Sequence, residues 1–414
     1  MVPLLCLIAC CGKFDGNEAV MLTDRPEFAF YANQFNVSQD KYKIKIVYKS
    51  GAAEFFYGTS RGAGINERPD IIAGRWLKSA STLKLWQNLD FVFARNSELE
   101  NSFYPALLEL GRFDNKQYLL PVSFDLPVII FSETNSPLMS NPFTIELDEI
   151  KTLGKDFNEG RNNVFTRMGF SPLWNYNFLS ETAVIFNAAF REGDPLDWNE
   201  KSLSGAVNYM RGWIEEVNSG IKAEDEFYFK YFFDPPAKLV NGGRILFAYM
   251  TSSEFFTMPG EMRAELDFRM LSGGGLIPVM ENAVYYGLNR RGRAKQAARA
   301  FTVWFFNEDT QMLLLKKSME NRLSDTIFGL SNGFSAMHTV NGTVFPLYYP
   351  ALLGHTPPVG LLAAPNILPQ NWTDMKERVV IPYLLDSVRS EPSLPLKQRL
   401  NDWLRVNSTP VTAR

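Results

Sequence analysis

The sequence predicts an α/β protein built on mixed, mainly parallel sheets flanked by helices. Near the N-terminus, strand-like runs alternate with a helical stripe, the order that builds a parallel sheet. The 414 residues, 46% of them hydrophobic, form two domains more readily than one. Later apolar runs are broken by proline and glycine, so they read as bent passages rather than uniform strands.

The elements follow in order. Ala19–Thr23 is an apolar run of strand character. Pro26 suits a first helical turn, with Asp24 as its N-cap. Phe28, Tyr31, Ala32 and Phe35 then recur at the spacing of an amphipathic helix. Tyr42, Ile44, Ile46 and Tyr48 alternate with lysines at the two-residue period of a strand, and Pro69–Gly74 predicts a third. In such sheets ligands sit beyond the carboxyl ends of the strands, which here are Ser50-Gly51 and Gly74-Arg75-Trp76. Between Leu119 and Phe131, Pro121, Asp125 and Pro127 interrupt an apolar stretch. Ser272-Gly273-Gly274-Gly275 is the most flexible stretch inside the body. Ala297, Ala298, Phe301, Trp304 and Phe305 predict a helix that ends near Asn307. From Asn332 to Pro369, glycine and proline predict loop with short elements.

Composition removes several functions. A net charge of −3 provides no basic field for nucleic acid. No apolar run reaches the ~18 residues of a membrane span. The two histidines, His338 and His355, lie at no ligand spacing and near no carboxylate motif, which argues against a zinc hydrolase or a His-based triad. Ser272 with its three glycines lacks the Lys-Ser/Thr of a phosphate loop. A chain with 45 acidic residues always contains many carboxylate pairs, so their number alone is no sign of glycoside hydrolysis. Neither cofactor nor metal is expected, and binding ranks ahead of catalysis.

All three cysteines, Cys6, Cys10 and Cys11, lie in the first eleven residues, which excludes a disulfide framework in the body. The apolar run Leu4–Cys10 gives way to Gly12-Lys13 and reads as the end of a secretory segment. Leu7-Ile8-Ala9-Cys10 resembles the lipobox of bacterial lipoproteins. That resemblance makes Cys10, or else Cys11, a lipidated residue and residues 1–17 a signal remnant and anchor. A short strand with packed cysteines is the competing reading.

Further along, Pro69–Ile72, Phe103–Leu108, Asp114–Ser123, Asn141–Thr144 ahead of Glu149-Ile150, Gly243–Tyr249, the Ala297–Phe301 helix with Glu308–Gln311, and Pro365–Gln370 occur in one order over nearly the whole chain. In that order they resemble the family 1 extracellular solute-binding proteins, the carbohydrate receptors of bacterial ABC importers related to maltose-binding protein. The resemblance implies a two-lobed periplasmic-binding-protein clamp of type II. Residues 18–125 and 277–325 would form the N-lobe, and 126–276 and 326–414 the C-lobe. Crossings would fall near Ser123–Phe131, Gly273–Glu281 and Ser324–Leu330. It further implies a monomer, lipid-anchored in the periplasm or cell envelope, that hands a sugar or oligosaccharide to ABC permease subunits without chemistry.

A sugar presents hydroxyls that donate and accept, and faintly apolar ring faces. Its receptor needs carboxylates, amides and Arg for the edges and flat aromatics for the faces. Asp125 leads the candidates, because a charge in an apolar crossing is costly unless partnered. The resemblance also places an acidic ligand contact there; the competing role is a structural carboxylate at a turn. Ser123 lies on the same passage. Arg75 and Trp76 follow one strand end, Ser50 and Gly51 another. On the second lobe the resemblance brings Trp174 and Asn175 to the cleft, then Ser252 and Glu254 after the Tyr249 strand, and Trp372 as a stacking ring. Turns and ordinary core packing are the competing roles for each. Arg75 also suits an anion, so a receptor for a glycerol phosphate ester stays open, as does a scaffold lipoprotein that has lost transport.

Overall fold

Two β-sheets, each with its own helices, exchange strands along the chain in a computed structural model that describes residues 16–60, 68–79, 82–94, 96–162, 164–194, 196–231 and 233–407. Cys6, Cys10 and Cys11, and with them the expected lipidation at Cys10 or Cys11, lie outside the described residues.

Strand β1 (Glu18–Thr23) leads into helix α1 (Glu27–Ser38) and back to β2 (Lys43–Tyr48), which pairs with β1 in parallel; β3 (Ile71–Gly74) pairs with the other edge of β1, also in parallel. The predicted stripe on α1 is buried: Phe28, Tyr31, Ala32 and Phe35 all face inward. Asp24 does not cap this helix. The N-cap is Pro26 with no side-chain bond, and Asp24 turns to Arg25 instead. Strand β4 (Leu119–Phe124) is buried along its whole length and ends the first visit to this sheet.

After Asp125 and Leu126 the chain enters the second sheet as β5 (Pro127–Ser132), followed by β6 (Thr144–Glu146). Helices α2 (Tyr176–Ile185) and α3 (Glu200–Val217) come next, then β7 (Ala248–Thr251) and β8 (Leu266–Ser272). The short strand β9 (Ile277–Pro278) carries the chain back to β10 (Val284–Leu288) of the first sheet. Helices α4 (Lys295–Phe305) and α5 (Glu308–Glu320) cover that sheet, with Phe301 and Phe305 packed on Phe35 and Phe28 of α1. Strand β11 (Phe334–Ser335) and strand β12 (Leu362–Ala363) follow. Helix α6 starts at Trp372–Met375, widens into a π-helical turn at Lys376–Val380 and continues as Ile381–Val388.

The first sheet has the order β11-β4-β10-β3-β1-β2 and the second β7-β5-β8-β6. In the first, β10 is antiparallel to both β3 and β4, so β1 to β4 run one way and β10 and β11 the other. The second sheet is less parallel than predicted, because β5 runs antiparallel to both its neighbours and only β8–β6 is a parallel pair. The chain passes from the first sheet to the second at Asp125-Leu126 and returns between β8 and β10.

Near Ser324–Leu330 the chain does not cross. Gly329, Ser331 and Asn332 take left-handed dihedrals, with φ of 56°, 50° and 59°, and fold the chain back so that β11 pairs with β4 in the first sheet. The N-lobe therefore keeps residues 334–335, which the sequence assigns to the C-lobe, and the last crossing comes later, through β12. That strand pairs with β9, laying two passages between the lobes side by side. Beyond it, α6 packs against α2 and α3 through Leu179, Leu203, Met210, Val380 and Leu384. Among the described residues, no helix is long and apolar enough to cross a membrane.

Candidate functional site

A cavity of about 200 Å³ lies where the passages between the lobes meet. Its walls include Ser180 and Glu181 of α2, Val279 and Glu281 of the β9–β10 passage, and Trp372 and Lys376 of α6. A smaller compartment of about 40 Å³ shares Glu281, Asn366 and Leu368 with it and adds Trp76, Leu77, Lys78 and Tyr285 from the first lobe. The walls thus come from both lobes. The lobes also touch directly: Trp76 packs against both the first-lobe core and the helical core of the second. The Ser79 hydroxyl donates to Glu192 Oε1 across the gap at 2.9 Å.

Local geometry delivers the rings and charges. Trp76 has φ of 60°, a conformation bulky residues rarely adopt, and it comes two residues after the end of β3. Trp372 is the first residue of α6 and is buried against Phe190, with ring centroids 5.4 Å apart. Lys376 opens the π-helical turn. Such one-turn widenings shift the register of a helix and concentrate at functional positions.

Lys376 Nζ lies 2.5 Å from Glu281 Oε1 and 4.0 Å from Glu181 Oε1. Glu181 is only 2% exposed, and its Oε1 has no hydrogen-bond partner in the protein. Burial raises the Glu181 carboxyl against the attraction of Lys376, and repulsion from Glu281 adds to the rise, to about 8. Glu281 moves the other way: burial pushes its carboxyl up, but the charge and hydrogen bond of Lys376 outweigh this and hold it below the usual carboxylate range. Burial would lower Lys376, yet the two carboxylates overcome it and raise the ammonium. The Trp372 indole N–H faces Glu281 and helps lower it without completing a hydrogen bond. Tyr249 on β7 is 4% exposed with an unpartnered hydroxyl; burial raises it, and Glu181, Glu281, Glu254 and Asp125 push further in that direction.

A second group of charges sits where β1 and β3 end. Asp24 Oδ1 is 3.7 Å from Arg25 Nε, and Asp24 also feels Arg75. Burial raises Asp24 and Glu27 and lowers Arg25, and the sequence-predicted Arg75 lies in this cluster of two acids and two arginines rather than standing as a lone cation.

The predicted site residues divide. Trp372 lines the larger cavity and Trp76 the smaller compartment beside it. Asp125 is 2% exposed and accepts from the Leu126 N–H at 2.9 Å, the Ser253 N–H at 3.0 Å and the hydroxyls of Ser252 and Ser253. It ties the β4–β5 crossing to the start of the Ser252–Thr257 helix. Ser252 is thereby occupied, and Glu254 closes a capping box with Thr251 on the same helix. Ser123 donates to the Ser331 carbonyl at 3.3 Å. Ser50 and Gly51 are exposed at the end of β2, and Gly51 takes φ of 66° to enter the Ala52–Ser60 helix. Trp174 and Asn175 line a different pocket of about 140 Å³ in the second lobe with Phe227, Tyr231 and Tyr249. There Trp174 stacks on Phe227 at 5.7 Å, and Asn175 accepts from the Asn177 N–H to cap α2.

Sequence reasoning missed Glu181, Glu281, Lys376 and Tyr249. One signal was available for two of them. Glu181 lies among the buried residues Leu179, Thr182 and Ala183, and Lys376 beside Met375, Val379 and Val380. A charge in an apolar helical stripe is the same cue that singled out Asp125.

No protein-family model matches the chain, and no curated protein sequence matches it. Solved structures do. The sugar-binding protein MalE from Xanthomonas citri superposes with a TM-score of 0.65 at 11% identity, over 94% of this chain and 96% of that one. The solute receptor AcbH, described as exclusively preferring β-D-galactopyranose, gives 0.63 at 11%, over 95% and 98%. The ABC substrate-binding protein Lmo0181 from Listeria monocytogenes, solved with cycloalternan, gives 0.59 at 13%, over 94% and 99%. The chain has the two-lobed fold of these ABC substrate-binding proteins.

Proposed function

We propose that this chain is a receptor that closes its two lobes on a carbohydrate and delivers it to an ABC importer without altering it. The observation that carries this reading is a pair of adjoining compartments beside the passages between the lobes, the larger lined by Trp372 and the smaller by Trp76. A ligand held by both lobes favours the closed form, whereas one held by a single lobe would shift nothing. The structural neighbours named above are sugar receptors, which supports the ligand class. Asp125 serves the site by ordering the crossing, and Trp174 with Asn175 offers a second aromatic surface on the C-lobe. Anchoring through Cys10, monomeric action and docking to permease subunits complete the proposal. Affinity suited to delivery is about micromolar, roughly −8 kcal/mol.

Intrinsic tryptophan fluorescence, titrated with mono- and oligosaccharides, tests this function, because Trp372 lines the larger cavity and Trp76 the compartment beside it. A saturable change with the sugar recovered intact by mass supports a receptor. Cleaved sugar makes the chain an enzyme, and a folded protein silent to every sugar removes the carbohydrate reading.

A further inference from the structure

The interlobe cavity carries more information than its ligand class. Its volume is about 200 Å³. That is below the range of about 300–1,000 Å³ for pockets that engulf drug-sized ligands. The space itself is the size of one pyranose ring, and it is open on one side.

Its polar groups are of two kinds. Lys376 is engaged, held by Glu281 at 2.5 Å and flanked by Glu181 at 4.0 Å. Among the described residues lining the larger cavity it is the sole cation, so an anionic ligand finds no positive charge that is not already matched. Lys78 in the smaller compartment rests its ammonium over the Phe113 ring, 4.5 Å from the centroid. Glu181 Oε1, an acceptor, has no hydrogen-bond partner, and the Trp372 indole N–H beside Glu281 is a donor that completes no hydrogen bond. Together they answer the two capacities of sugar hydroxyls. Exposed Asn187 and Asn366 add amides at the mouth.

Resting on the receptor reading, we infer that Glu181 is the specificity-determining residue of this cavity, receiving a hydroxyl of a single neutral pyranose, and that phosphorylated sugars are excluded. The groups facing Glu181 are Lys376 on α6, Glu281 on the β9–β10 passage and Tyr249 on β7, while Glu377 acts on Lys376 from the same helix. A hydroxyl donated to Glu181 is held most strongly by the ionised carboxylate. Because burial and Glu281 raise that carboxyl to about 8, affinity rises with pH as Glu181 ionises, and binding releases a proton.

The test is calorimetric titration of the full chain with D-glucose, D-galactose, D-mannose, their 6-phosphates, and maltose and maltotriose, at several pH values from 6 to 9. At least one neutral monosaccharide should bind, with affinity rising across that range and proton release visible as buffer-dependent heat. Glu181→Gln, checked for folding by thermal melting, should weaken that binding by about tenfold or more and flatten its pH profile. Glu181→Asp, which restores the carboxylate, should recover the pH dependence. Sugar phosphates or maltotriose binding as well as or better than every monosaccharide would overturn this inference and leave the receptor intact. So would an unchanged pH profile in a folded Glu181→Gln. Silence towards every compound would overturn both.

Discussion

At the scale of the residue, the useful distinction is between buried charges that are satisfied and those that are not. Asp125 and Glu181 are equally hidden, yet Asp125 is met by four donors and Glu181 Oε1 by none. Asp125→Ala would strand the Ser253 N–H and take an acceptor from the Leu126 N–H and from the hydroxyls of Ser252 and Ser253, in a buried crossing. It should therefore lower stability by about 2–3 kcal/mol, read as a fall in the urea midpoint. Ligand affinity of the protein that remains folded should change far less than in Glu181→Gln; a normal urea midpoint with lost affinity would return Asp125 to the ligand. The sequence singles out Asp125 because it interrupts an apolar run between two prolines. It hides Glu281 because that residue lies in an irregular passage, where no periodicity marks a side chain as buried.

At the scale of the element, two helices of the second lobe carry carboxyls that burial has raised. Glu181 on α2 is pushed to about 8. Glu224, on the Ile221–Tyr231 helix, is raised by burial to about 7 against the lowering hydrogen bonds of the Ser171 hydroxyl and the Asn218 amide. A carboxyl whose folded value exceeds its unfolded one contributes stability that is fully present below the unfolded value. It loses that stability as pH rises through the folded value. Relative to Glu224→Gln, whose amide stands for the protonated form, the wild type should lose stability between about pH 4.5 and 7 and change little above. Urea midpoints of the two proteins across that range measure the difference, and a wild type that gains on the variant as pH rises would contradict the assignment. Element prediction itself succeeded where periodicity is strong, as on α1 and α4. It could not foresee the return of β11, because Phe334-Ser335 is too short for a pattern and its placement depends on the left-handed turn at Gly329, Ser331 and Asn332. The π-helical turn was equally hidden, since a single extra residue leaves the apolar spacing of α6 nearly unchanged.

At the scale of the whole molecule, the two-lobed architecture was legible because landmark segments occur in order over the chain, and two of three crossings lie at prolines or glycines. Which residues meet in the cavity was not legible, because its walls come from α2, the β9–β10 passage, β12 and α6, which lie far apart in sequence. The lobes are drawn together in this structure, with Trp76 bridging both cores and Ser79 bonded to Glu192. A clamp moves between that arrangement and a more open one, and its ligand adds contacts only to the closed form. The most direct test is small-angle X-ray scattering of the full chain, before and after saturation with a sugar shown by calorimetry to bind. A clamp predicts a smaller radius of gyration with the sugar and little contraction in Trp76→Ala. Saturating sugar that leaves the scattering unchanged, from an ensemble more open than this structure, would show that the lobes do not close on it.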